Sequence, residues 1–179
     1  MSEFADAVAE IDSAGKRADE AKRSALAILV ALRVCRFCSP TVDASQSGYL
    51  AHWQSLLERA LIALPKNDLA VRDEALARIA LIHQADLAGD PGFADGDLDE
   101  DFAAAAFYAL DVYAAANSES LHHAATRLVD AADRRADCDE ESATFRSELA
   151  LLRNLACLSL STTDTESFIS QGHTLIQNK

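Results

Sequence analysis

The chain has 179 residues, half of them hydrophobic but only 6 % aromatic, with 29 acidic against 16 basic side chains and a formal charge of −13. That length is most simply one domain with room for a real core. The charge repels a bare phosphate backbone and an anionic lipid surface, so neither nucleic acid nor membrane is an expected partner. Abundant alanine, few aromatics and short β-branched runs favour helices packed closely through small side chains.

The first stretch, Met1 to Ala18, carries acids and no apolar core of the signal-peptide kind. The longest apolar run, Ala25 to Leu32, is too short to span a bilayer. A cytoplasmic location is expected, with the four cysteines as reduced thiols. In chain order, a first helix is expected from about Glu3 to Cys38, bent or broken near Gly15. Pro40 to Gly48 reads as a turn-rich link. The second helix places Leu50, Trp53, Leu57, Ala60, Leu61 and Leu64 on one stripe and ends at Pro65.

Asn67 or Asp68 caps a third helix whose inner stripe is expected to be Leu69, Leu76, Ile79 and His83. GDPGFADG, Gly89 to Gly96, is the clearest loop. Asp97 with Glu100 then opens a fourth helix that is apolar on every side from Phe102 to Ala116, which predicts a central position. Asn117 and Ser118 separate it from a fifth, with Leu121, Ala125, Leu128 and Ala132 inward. The sixth is expected to start around Asp137 to Glu140 and carries Phe145, Leu149, Leu152 and Ala156. Thr163 with Glu166 forms a capping box for a short last helix ending at Ile176. The expectation is an all-α fold, residues 1–179 forming a single-domain antiparallel bundle of about six or seven helices. Its central Ala-rich helix should lie near residues 98–116.

Chemical motifs are sparse. Cys35 and Cys38 make a CxxC, but at the end of a helix, where the dipole opposes a thiolate. A zinc site would need two more ligands, and Cys138 and Cys157 are solitary. Glu119 and His122 form an ExxH without the second copy that a di-iron bundle requires, and His123 points about 100° away from His122. Asp95, Asp97 and Asp99 begin like a calcium loop. The pattern fails at Glu100, where glycine belongs, and at Ala106, where a bidentate glutamate belongs. Asp111, inside the apolar helix, needs a partner if buried, with Arg33, Arg36 or Arg153 as candidates. No catalytic, cofactor-binding or metal residue is assigned, and no cofactor is expected.

What remains is acid. Asp95, Asp97, Asp99, Glu100 and Asp101 cluster at one helix start, and Asp137, Asp139, Glu140 and Glu141 at the next but one. The helix dipole accounts for either cluster alone. If alternate helices run the same way, both lie at one end of the bundle and form an anionic surface for a basic partner.

Five segments carry a family resemblance: RVCRF from Arg33, HWQSLLERAL from His52, AAAAFYALDVY from Ala103, ATRLVDAADRR from Ala125 and SELALLRNL from Ser147. In this order they resemble the all-α immunity proteins of bacterial polymorphic toxin systems and related helical proteins, over about Ala25 to Leu160. The resemblance implies stoichiometric occlusion of a toxin domain, often a basic nuclease, with no reaction. The expected function is a non-catalytic acidic inhibitor. The alternatives are a helical scaffold or adaptor, including a homodimer, and a helical redox or metal enzyme using Cys35 and Cys38 or Glu119 and His122.

Overall fold

The computed structural model describes residues 3–37, 44–87, 98–136 and 142–177. Among them are eight α-helices and no strand: α1 (Glu3–Arg17), α2 (Glu20–Cys35), α3 (Ala44–Ala63), α4 (Leu69–Leu87), α5 (Leu98–Ala115), α6 (Ser120–Arg135), α7 (Ala143–Ser161) and α8 (Thr165–Gln177). The fold is all-α, and the buried side chains form one contiguous core. No helix among the described residues is long and apolar enough to cross a membrane.

The first expected helix is two. The chain breaks at Ala18 and Asp19 rather than at Gly15. Asp19 adopts an extended conformation, and its carboxylate accepts the Lys22 N–H at 2.8 Å, capping α2. Arg23 closes the other side of the break by donating to the carbonyls of Gly15 and Ala18. Gly15 stays helical for a packing reason. A Cβ there would come within 2.2 Å of Leu121 Cδ2, so the glycine lets α1 lie close on α6.

Other boundaries also moved. Pro65 falls in a 3-10 turn, Leu64–Lys66, and Asn67 leaves it in the left-handed conformation with φ 51°. The start of α4 is held by Asp68, which accepts from the Ala70 N–H. Ser142, not the acids before it, caps α7 by accepting from Phe145 N–H. Asp164 rather than Thr163 caps α8. The Ser167 amide and hydroxyl that bind its carboxylate hold that group below its ordinary pKa.

Two helices share the centre. As expected, α5 is interior, packing against α2, α6, α4 and α3. More central still is α2, which touches α1, α3, α5, α6, α7 and α8 and is buried at every position from Ser24 to Leu32. Antiparallel neighbours are fixed by cross-helix bonds: Arg59 to Glu74 for α3 and α4, Arg72 to the Ala114 carbonyl for α4 and α5, and Arg134 to Asp101 for α5 and α6. Asp111 is only half-buried and meets none of the three arginines expected. It accepts from Asn117 Nδ2 at 2.7 Å and Ser120 Oγ at 2.6 Å, and so braces the α5–α6 turn, where Ala116 sits at φ 57°.

Candidate functional site

The starts of α5 and α7 do lie at one end of the bundle, because Asp101 meets Arg134 at the end of α6, and Arg135 lines a pocket with Thr144 and Ser147 of α7. The described residues at that end do not form the expected anionic surface. Asp101 is fully buried: it accepts from Arg134 Nε at 2.7 Å and Nη2 at 3.1 Å, and Arg127 approaches at 3.4 Å. It binds the chain to itself and cannot face a partner, which corrects its assignment as a contact residue. The reason is helix polarity: Arg134 stands at the C-terminus of α6, where the dipole is negative, and there it meets the acidic start of α5, with Arg127 two turns earlier on the same helix. Glu100 is half-buried beside this cluster and Asp99 lies in the first turn of α5. Asp95, Asp97, Asp137, Asp139, Glu140 and Glu141 lie outside the described residues. Asp130, on the rim of the same cluster, has its pKa pushed up by burial and then by the neighbouring Asp101 charge.

The motifs suggested for chemistry do not converge. The Cys35 thiol donates to Gln54 Oε1 at 3.4 Å, and Cys38 lies outside the described residues. Cys157 is exposed on α7. Glu119 stands at the N-cap of α6, while the His122 ring meets the His123 ring edge-on at 5.7 Å. Among the described residues no three His, Cys, Asp or Glu side chains come together as a cation cage.

A different surface stands out. The expected inner stripe of α4 is only partly inner: Ile79 is buried, whereas Leu69 is 61 % and Leu76 40 % exposed. The packed stripe is Val71, Ala75, Ile79 and Ile82. The outer side is apolar as well, with Leu69, Leu76, Ala80 and the 56 % exposed Leu81; Ile62 at the end of α3 is 63 % exposed. Helical spacing puts Leu69, Asp73, Leu76 and Ala80 in one row, with Ala70, Ala77 and Leu81 beside it. Exposed Glu58, Asp68 and Asp73 supply acid around these residues.

A row of rings runs on from α4 to α6. His83 meets the Phe107 ring edge-on at 5.4 Å, Phe107 meets Tyr108 in the same way, and His123 lies against Tyr108 at 4.9 Å. Phe107 and Tyr108 are the partly exposed edge of α5. Exposed leucines next to aromatics make an apolar patch of the kind that marks protein interfaces, here with Asp73 inside the leucine row and Glu58 and Asp68 beside it. The sequence reading placed Leu69 and Leu76 inward together with Ile79; the structure buries only Ile79 of the three, because the neighbouring helices cover the other side of α4.

No family model matches the chain, and no curated protein or solved structure was found to be similar to it.

Proposed function

We propose that this chain is a non-catalytic binding protein of the cytoplasm. In this reading it occludes a domain of another protein, as an immunity-type inhibitor does, through the outer face of α4 and the ring row beside it. One observation carries the reading: Ile62, Leu69, Leu76 and Leu81 are all at least 40 % exposed on adjoining turns of α3 and α4. Isolated exposed leucines need no explanation, but a run of them along one helix marks a contact surface. The acids around that face and the formal charge of −13 suit a partner with a basic rim, because opposite fields speed encounter and fix orientation.

The same face also suits a second copy of the chain, which is the scaffold reading. Sedimentation velocity on the wild type and on a Leu76→Asp, Leu81→Asp double variant separates the two. The inhibitor reading expects a monomer in both. A tagged pull-down from the native organism, at low and high salt, should then retain one near-stoichiometric protein on the wild type and lose it on the double variant. A partner held equally by both forms rejects this face. A dimer that the double variant dissolves replaces the inhibitor with a homodimeric scaffold.

A further inference from the structure

Three guanidinium groups are drawn together where α2 and α6 end and α7 begins. Arg33 and Arg36 both donate to the carbonyl of Ile176, at 2.9 and 2.6 Å. The guanidinium carbons of Arg33 and Arg135 lie 5.6 and 5.3 Å from the centroid of the Phe37 ring. Like charges held this close repel one another, so the arrangement needs an anion. The protein supplies one: Glu148, 1 % exposed, forms a two-pronged pair with Arg33, its Oε2 accepting from Nε at 2.8 Å. Arg36 and Arg135 are exposed, and neither forms an ion pair among the described residues.

These side chains line a cavity of about 460 Å³ together with Phe37, Thr144 and Ser147. That volume lies within the range of small-molecule pockets. Thr144 and Ser147 are exposed on the first turns of α7, the Ser147 hydroxyl donating to the Thr144 carbonyl at 2.8 Å, so polar groups and the positive pole of a helix line the same cavity as the guanidinium groups. After Glu148 is counted, the described lining residues keep two positive charges, in a chain whose formal charge is −13. A monocarboxylate would leave one guanidinium uncompensated. A phosphate dianion matches both, presenting several oxygens to planar forks. The cavity has room for more than the phosphate.

We propose that this pocket is a binding site for a phosphate-bearing small molecule, held by Arg36 and Arg135 with the start of α7 at Thr144 and Ser147 lining the same cavity. It is separate from the α4 face, and the partner reading can fail without it.

Isothermal titration of the full chain with inorganic phosphate, pyrophosphate and a nucleoside monophosphate tests it. The expected result is saturable one-to-one binding, tighter for pyrophosphate than for phosphate and weakened by salt. Arg36→Ala and Arg135→Ala should each weaken it by about tenfold or more, and Arg135→Lys should restore only part because the planar fork is lost. Both arginines are exposed, so circular dichroism should be unchanged. Amide shifts of Thr144 and Ser147 in the wild type give a second readout that needs no variant. Absence of saturable binding for all three probes overturns the proposal. So does binding that survives undiminished in the Arg36→Ala, Arg135→Ala double variant, or shifts confined to other parts of the chain.

Discussion

Helices α2 and α4 are both rich in Ala, Leu, Ile and Val, yet one is enclosed on all sides and the other packs mainly on α3 and α5 and keeps an open face. The difference lies in where the charges stand. In α2 they sit at the ends, with Glu20, Lys22 and Arg23 before the run Ala25–Leu32 and Arg33 after it. That leaves more than two uninterrupted turns that other helices can cover from any direction. In α4 the charges interrupt the middle: Arg72, Asp73, Glu74 and Arg78 split the apolar residues into two narrow stripes. Charged heads must reach water or a partner, so only one stripe is buried. Apolar content sets how much a helix can bury; the placement of its charges sets how many sides it can bury.

The comparison can be broken most sharply at the end of α2. Glu148→Ala leaves the Arg33 guanidinium, 12 % exposed, without its carboxylate, at a cost of about 3–5 kcal/mol in urea denaturation. An Arg33→Met, Glu148→Leu double variant should recover most of that loss, because apolar packing replaces a desolvated pair. If the single variant is as stable as the wild type, α2 is not locked in place by this pair. The next test sets one helix directly against the other. Leu29→Ala opens a cavity at a fully buried position and should cost about 2–5 kcal/mol. Leu76→Ala, on the open face of α4, should change stability by no more than about 0.5 kcal/mol. Similar losses at the two positions would mean that α4 is covered, and the proposed interface would have to be abandoned.

How far the sequence reached follows the same physics. The all-α class and the interior place of the helix at Phe102 to Ala114 were legible because residues apolar on every side have nowhere else to go. The break at Asp19 was misplaced to Gly15 because glycine signals a bend, whereas here the missing side chain admits Leu121 from another helix. That contact is invisible in a linear reading. Asp101 was read as surface because acids at a helix start are usually solvated. Its burial depends on Arg127 and Arg134, 26 and 33 residues further on. A signal was present: the arginines that end α6 should seek the acidic start of its antiparallel neighbour α5, as Arg134 does. Leu69 and Leu76 were read as inner because they are apolar at helical spacing, yet they are exposed, since burial depends on how many helices arrive.

A small effect of opposite sign tests the margin of the cluster around Asp101. Asp130 sits beside Arg127 at 3.8 Å, yet its pKa is raised, first by burial and then by the Asp101 charge, against the lowering pull of Arg127 and Arg134. A raised native pKa means that the folded state binds its proton at pH values where the unfolded chain has released it. Stability attributable to this group is therefore full below the ordinary carboxylate range and is lost as pH rises through the raised native value. Asp130→Asn cannot ionise, so it should melt slightly above the wild type at neutral pH, and the difference should close on acidification. The gain should be less than about 1 kcal/mol, because the side chain is 38 % exposed and solvent screens much of the effect. Melting curves of the two proteins across the acidic range decide the sign. If the variant melts lower at neutral pH, the Arg127 contact outweighs desolvation, and Asp130 belongs with Asp101 as part of the clamp.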